Sequence, residues 1–376
     1  MKTDPILPSK DECYGCTSCE QICPRQCISM VSDEEGFLYP KVDSEVCIGC
    51  KLCEKACPSL AALEDRYPIK AYAAICTEED IRSQSSSGGV FTLLAESVIN
   101  QGGVVFGARF DESWQVVHAK AERVEDLSFF RGSKYVQSKM GNCYAEAREC
   151  LKKGRNVMFV GTPCQIAGLH HFLGKPYEKL LTVDFICHGV PSPAVWRWYI
   201  DRKSSEIARK SLKGMFYYWR NRSNFVSDVE FREKTYGWKQ FSMVIKTKGK
   251  TYSERHFNDP YMKAFLDNYS LRLSCYSCKM KYGRSHSDIT IADFWNVHRV
   301  TEQFDDDGGT SLVLANSSKG LKLFQQMRCN SKEVDFNDAI QYNRAWSIPY
   351  EKNDKREYFF QHYKKQLDAI VSPANQ

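Results

Sequence analysis

The sequence predicts an α+β protein in which a small, cysteine-dense head precedes a larger mixed α/β body with a helical C-terminal part. Three observations carry that reading. Nine of the 17 cysteines lie before residue 60. The charge balance reverses after Asp65, with 6 Lys and Arg against 12 Asp and Glu before that point and 46 against 34 beyond it. Past residue 65, short apolar runs alternate with amphipathic segments of helical period. Domains are expected over 1–65, 66–330 and 331–376, the last a helical extension. Pro68 sits in the linker and the head is expected to be separable.

With 376 residues, 43% of them apolar and 13% aromatic, the chain can build a core without disulfides, which excludes a mini-domain and global disorder. No stretch of about 18 residues is apolar enough to span a membrane. The opening Met-Lys-Thr-Asp-Pro has no apolar signal core. A cytoplasmic protein is expected, and there 17 cysteines point to metal binding or thiol chemistry rather than to disulfides. The basic body reads either as a solvated surface or as a binder of anionic cofactors or acidic partners. No Lys/Arg-dense run supports nucleic acid.

Eight head cysteines form two copies of C-x2-C-x2-C-x3-C-P. They are Cys13, Cys16, Cys19 and Cys23-Pro24, then Cys47, Cys50, Cys53 and Cys57-Pro58. At this chain's cysteine frequency, one such match at a given start has a chance of roughly 4 × 10⁻⁶. In this pattern three thiolates wrap one face of a 4Fe-4S cubane, and the fourth, followed by Pro, crosses to the other cluster. Cys13, Cys16, Cys19 and Cys57 are therefore assigned to one cluster, and Cys47, Cys50, Cys53 and Cys23 to the second. Residues 10–60 resemble bacterial-type two-cluster ferredoxins. Zinc is the alternative, although zinc knuckles require neither the third evenly spaced Cys nor the Cys-Pro. Between the runs, ISMVSDEEGFLYPKVD reads as two strands around an acidic turn. Gly15 and Gly49 allow the backbone to approach the clusters. Cys27, outside the pattern, reads as a small buried residue.

In the body, IKAYAAIC (69–76) reads as a strand, GGVFTLLAESVIN (88–100) as a helix, and 102–110 with 114–121 as a strand pair. A helix over 142–153 leads to the buried strand NVMFVG, which ends in Gly161-Thr162-Pro163-Cys164 and runs into the helix QIAGLHHFL, with Thr as cap and Pro in the first turn. LLTVDFIC (180–187) repeats the plan, followed by HGVPSP and a helix to about 208. Strands are expected over 213–255, a helix over 259–268, a strand over 311–315 and mostly helix after it. The Asp305-Asp306-Asp307-Gly308-Gly309 run reads as a solvated turn, and His170 and His171 as surface or packing residues.

Four body cysteines occupy ligand-like places: Cys164 at a strand-to-helix turn, Cys187 at a strand end, and Cys275 with Cys278 two residues apart. On spacing alone a third iron-sulfur cluster, zinc, a catalytic thiol and unrelated buried cysteines all remain open. Cys76, Cys143, Cys150 and Cys329 have no partner at ligand spacing. His188 beside Cys187 is a candidate proton donor or a hydrogen-bonded structural histidine. Asp293 either meets a cofactor or caps the segment before Trp295. No other catalytic candidate stands out.

The body carries, in order, SSSGGVFTLLAESVINQGGVVFGA (85–108), RGSKYVQS (131–138), GTPCQIAGL (161–169), CHGVPSP (187–193) and CYSCKMKYGRSHSDITIADFW (275–295). With these motifs, residues 70–310 resemble the coenzyme F420 hydrogenase/dehydrogenase beta subunits, in the version with a fused N-terminal ferredoxin domain. The resemblance implies FAD beside a third 4Fe-4S cluster on the four body cysteines. It also implies a flavin site drawing on Ser87, Gly88, Gly89, Ser133, Lys134, Tyr135 and Thr162. Two glycines entering a helix suit a pyrophosphate, Lys134 suits phosphate or reduced-flavin charge, and Tyr135 suits ring stacking; a helix cap and an ordinary turn would explain the same residues.

The expected function is that of an FAD-dependent iron-sulfur oxidoreductase. Electrons would pass between ferredoxin or another one-electron carrier and an organic substrate, either coenzyme F420 or a substrate of surface-polysaccharide biosynthesis. The competing reading is a non-catalytic electron-transfer subunit of a hydrogenase or reductase complex. Homo-oligomerisation is also compatible with the sequence.

Overall fold

The computed structural model describes residues 4–209, 218 and 225–372. In the head, α1 (Ser18–Ile22) and α2 (Leu52–Lys55) flank an antiparallel hairpin of β1 (Ile28–Ser32) and β2 (Leu38–Val42). Its acidic turn closes on Asp33, whose Oδ1 accepts from the Glu35 and Phe37 amides at 3.1 and 2.9 Å.

The body begins with β3 (Lys70–Cys76), α3 (Glu79–Ser83), α4 (Val90–Asn100), β4 (Val104–Phe110) and β5 (Val116–Ala121). It continues through α5 (Cys143–Lys152), β6 (Val157–Val160), α6 (Pro163–Leu173), β7 (Leu180–Phe185) and α7 (Pro193–Arg209). There follow β8 (Val226–Glu233), β9 (Ser242–Thr247), β10 (Lys250–Arg255), α8 (Pro260–Leu266) and β11 (Ile289–Asp293). The chain ends with β12 (Ser311–Ala315), α9 (Ser318–Gln325), β13 (Cys329–Val334), α10 (Phe336–Ile340) and α11 (Arg356–Val371).

Eight strands form one mixed sheet in the order β13-β3-β12-β11-β7-β6-β4-β5. Its centre, β11-β7-β6-β4, is parallel, and antiparallel strands flank it on both sides. Period-two alternation divides the strand residues between two cores. Tyr72, Ala74, Val105 and Met158 pack with Leu94 and Val98 of α4 and Phe324 of α9. Val104, Phe106, Val157 and Phe159 pack with Tyr144 of α5 and Ile166 and Leu169 of α6. Fully burying each such Leu or Phe is worth about 1.5–3 kcal/mol, and a strand covered on both faces reads as an unbroken apolar run. A second, antiparallel sheet, β10-β9-β8, packs with α7, α8 and α11 around Trp196, Tyr199, Phe231 and Tyr261.

Several expectations change. β11 is a strand in its own right, paired with β7 on one side and β12 on the other. The boundary expected at residue 330 falls inside β13, which pairs with β3 along the sheet edge; its mostly exposed, polar sequence hides it from an apolar-pattern reading. Among the described residues, the strands expected over 213–255 begin at Val226, and 213–217 with 219–224 lie outside them. The Asp305–Asp307 turn is solvated at Asp306 and Asp307, as expected, but it is also pinned. Asp306 pairs bidentately with Arg82 (2.7 and 2.5 Å) and Asp305 with Lys239 at 2.8 Å.

The head docks closely on the body. Arg272, 0% exposed, donates to Cys13 O (2.7 Å), Leu38 O (3.0 Å) and Gln137 Oε1 (3.1 Å). The buried Arg356 forks onto Glu35 at 2.8 and 2.5 Å. Gln21 Oε1 accepts from the Tyr144 and Ala145 amides at the start of α5, both at 3.1 Å. Together with Lys279–Glu12 (2.9 Å) and Arg284–Asp65 (2.7 Å), these contacts show where the acidic head and basic body meet. The charge asymmetry that suggested a detachable unit is in part the complementarity of an internal interface.

Candidate functional site

In the head, each cysteine run turns through a glycine in the left-handed region, Gly15 (φ 66) and Gly49 (φ 69), placed before its second cysteine. A side chain at Gly15 would also meet Arg272 Nη1 at 2.8 Å. Cys23 of the first run lines one cavity with Cys47, Cys50 and Cys53 of the second. Burial, and then the neighbouring thiols of Cys19, Cys57 and Cys13, push the Cys16 thiol upward, so the other four are grouped as well. Cys27 is buried as expected, and its Sγ lies 3.3 Å from Cys23 Sγ on the wall of the same cavity.

The body cysteines converge from three places. Cys164 stands in the first turn of α6, behind a capping box in which the Thr162 amide donates to Gln165 Oε1 at 2.9 Å; Thr162 Oγ1 lies 3.1 Å from Cys164 Sγ. Cys187 follows β7 by two residues, and Cys275 and Cys278 flank a tight turn. All four line one cavity of about 40 Å³, several times the space of a single water. Burial, followed by the Cys278 thiol, raises Cys164 to about 12 and Cys275 to about 11. Metal binding is what would make such thiols thiolates.

Two buried cations line the same cavity, Arg272 and Lys281. Lys281 donates to Cys187 O (3.0 Å) and Ala345 O (2.7 Å). Among the described residues neither cation has a carboxylate partner, and a buried charge without an anion is costly. Four thiolates around a metal centre would supply that anion. No three His, Cys, Asp or Glu side chains among the described residues converge as a single ion requires. Thiols set around a cavity fit a polyatomic cluster.

A cleft of about 640 Å³ opens beside this cavity, at the C-terminal ends of the parallel strands, where ligands settle in open α/β sheets. Phe185 through Val190, including Cys187, wall both spaces. Ser87, Gly89, Ser133, Lys134, Tyr135, Thr162, His188 and Asp293 all line the cleft. The SSSGG and RGSKY segments meet there through Ser86, whose Oγ accepts from the Ser133 amide (2.5 Å) and Oγ (2.8 Å). Gly88 does not line it. A Cβ at Gly88 would strike Ala74 O at 2.3 Å, so this glycine serves the close approach of the loop to β3 and β12.

Two further placements bear on the expected roles. Lys134 Nζ donates to the carbonyls of Phe130, Arg131 and Gly132 at 3.2, 2.8 and 3.1 Å. Burial pushes it down to about 7, yet three acceptors call for the three N–H groups of the ammonium. All its donors are engaged by its own loop, so it holds the loop rather than reaching a ligand. His188 is driven down to about 4 by burial, stacks on Tyr350 with centroids 3.8 Å apart, and donates from Nε2 to Asn268 Oδ1 at 2.8 Å. These contacts fit a hydrogen-bonded structural histidine.

Residues 71–143 match the family model for the coenzyme F420 hydrogenase/dehydrogenase beta subunit N-terminus, and residues 154–339 that for its C-terminus. The chain belongs to this family. Residues 12–61 match a 4Fe-4S dicluster domain, so the member carries an iron-sulfur head on an oxidoreductase-family body. Among solved structures, a chain from the xenon-derivatised F420-reducing [NiFe] hydrogenase complex of Methanosarcina barkeri is similar. The match covers 83% of this chain and 93% of that one, with 17% identity and a TM-score of 0.47. No curated protein matches.

The family's C-terminal match also spans cleft residues that sequence reasoning missed. Arg232 on β8 pairs with Asp293 and lies over the rings of Phe241 (4.3 Å) and Trp295 (5.4 Å). Trp295 stacks on Trp238 at 4.7 Å. Arg232 sits in an ordinary alternating strand, and only the pairing of two sheets brings it to Asp293. For Arg272, the available signal was a basic residue three positions before Cys275.

Proposed function

We propose that the protein is a flavin-dependent iron-sulfur oxidoreductase, with three 4Fe-4S clusters and FAD, that moves electrons between a one-electron carrier such as ferredoxin and an organic substrate in a reducing, cytoplasmic setting. The observation that carries this reading is the shared wall: the segment holding Cys187 faces the four-thiol cavity on one side and the cleft on the other.

The three cysteine sets lie in series. Cys50 is exposed at the outer set, and Cys53 of that set neighbours Cys19 of the inner head set. Tyr14 stands next to Cys278 and Cys164 of the body and Cys57 of the head, and burial and those thiols push its hydroxyl upward. Clusters at these sets would carry single electrons, and a bound flavin would supply the conversion between one-electron and two-electron chemistry. Arg272 and Lys281 offset cluster charge. The Phe185–Val190 segment separates the thiols from the cleft, while Ser86, Ser133 and Lys134 set the loop that frames it.

The family name points to coenzyme F420 as one substrate, and ferredoxin-fused relatives suggest a surface-polysaccharide intermediate as another. In the competing non-catalytic reading the same cleft would hold flavin alone and admit no organic substrate. Anaerobic analysis should find about twelve iron, twelve acid-labile sulfide and one FAD per chain. Eight iron would remove the body cluster, and stoichiometric clusters without flavin would favour the electron-transfer subunit. Among the described residues no helix is long and apolar enough to cross a membrane.

A further inference from the structure

Arg232 is buried on the cleft wall, with 3% of its side chain exposed. Its Nη1 is engaged by Asp293 and lies 3.5 Å from the Tyr135 hydroxyl. Among the described residues its Nε and Nη2 have no hydrogen-bond partner. Those two N–H groups form the side-on edge of the guanidinium, the parallel pair that matches both oxygens of a carboxylate or two of a phosphate. Buried donors are almost always satisfied, and an orphaned pair on one edge asks for an acceptor. Phe241 and Trp295 cover the guanidinium faces and shield it from water, which strengthens any charged contact made along the edge. The surrounding charge favours an anion. Among the described lining residues Asp293 is the one carboxylate, and although Lys239 is paired with Asp305 and Lys134 with its own loop, Arg131 and Arg344 have no carboxylate partner.

We propose that the free edge of Arg232, oriented by Asp293, anchors an anionic group, carboxylate or phosphate, of the organic molecule that exchanges electrons in this cleft. The substrate class is thereby an acid or a phosphoester and not a neutral quinone or sugar. The proposal rests on the oxidoreductase reading for the identity of the cleft, but the anion site can be tested without turnover.

Trp238 and Trp295 lie beside the guanidinium and supply the signal. Anthraquinone-2-sulfonate and neutral 2-(hydroxymethyl)anthraquinone would be titrated against tryptophan fluorescence, with FAD affinity measured separately, in the wild type, Arg232→Gln and Arg232→Lys. The wild type should prefer the sulfonate by about tenfold. Arg232→Gln should abolish the preference while leaving affinity for the neutral probe and for FAD within about twofold. Arg232→Lys, which keeps a partner for Asp293 and so guards against misfolding, should recover only part of the preference, because an ammonium lacks the fork. Absence of a preference in the wild type, or an unchanged preference in Arg232→Gln, overturns the proposal. An approximately tenfold loss of FAD affinity with the preference intact assigns the edge to the cofactor's phosphates instead. A wild type that binds no FAD but prefers the sulfonate would remove the flavin reading and keep this one.

Discussion

Arg272 Nε donates to the carbonyl oxygen of Cys13 at 2.7 Å, so one buried guanidinium touches the first head cysteine while lining the cavity of the four body thiols. It is a mechanical and an electrostatic joint between the iron-sulfur head and the four-thiol cavity of the body. Arg272→Met strands three oxygen acceptors and removes a cation from beside Cys164 and Cys275. Stability should fall by about 3–5 kcal/mol in urea denaturation, and the cluster proposed for the four body thiols should become harder to reduce in an EPR-monitored potentiometric titration. Wild-type values in both would leave Arg272 as packing only.

Deleting residues 1–65 should not release a folded body. The truncation uncovers Arg272 and Arg356, which lose head partners at 2.7 and 2.8 Å, and it removes the Phe37 and Tyr39 rings that pack against Phe360. Buried cations stripped of partners are heavily destabilising. Aggregation, or loss of the cooperative melt, is expected; a monodisperse fragment with a native melt would restore the separable-head view.

Cys27 lies 3.3 Å from Cys23, near enough to replace it with a small backbone adjustment. Cys23→Ala should therefore retain nearly all its iron, whereas Cys23→Ala with Cys27→Ala should lose about a third if three clusters are present. Equal iron in the two variants would show that Cys27 never ligates.

His118 accounts for part of the pH dependence of stability. Burial pushes it down to about 4, and its ring lies against Phe159 with Nε2 bonded to Val160 O at 3.0 Å. A depressed histidine favours the folded state fully above its unfolded value of about 6.5, and that contribution is lost as pH falls through 4. The loss amounts to about 3 kcal/mol across that window. Denaturation midpoints of His118→Gln measured between pH 7 and 4 should fall less steeply than those of the wild type, and parallel curves would exclude the histidine.

Lys134→Ala should act on the loop rather than on redox chemistry. Three carbonyls lose their donor, at a cost of about 2–3 kcal/mol, and amide exchange over 130–135 should quicken. If FAD binds, its retention should weaken with its potential unchanged. Lys134→Arg should not rescue, since a planar fork cannot satisfy three carbonyls held around one ammonium. A shifted flavin potential in Lys134→Ala would return the residue to the ring.

Much of the molecule is legible in the chain itself because the signal is local. The cysteine runs, the acidic hairpin, the apolar strands β3, β6 and β7 and the Thr162 cap are each set by residues a few positions apart, whose spacing alone carries the chemistry. β13 escaped because an edge strand can be polar, and β11 because five residues between polar flanks show no period. The roles of Lys134, Gly88 and Arg232 depend on neighbours tens to hundreds of residues away or on the folding of their own loop. A free lysine and one satisfied by three carbonyls have the same sequence. The head shows the same division. Its composition and charge announced a unit, but whether those charges faced water or Arg272 and Arg356 was decided only by docking, because complementary surfaces leave no periodic trace in either segment.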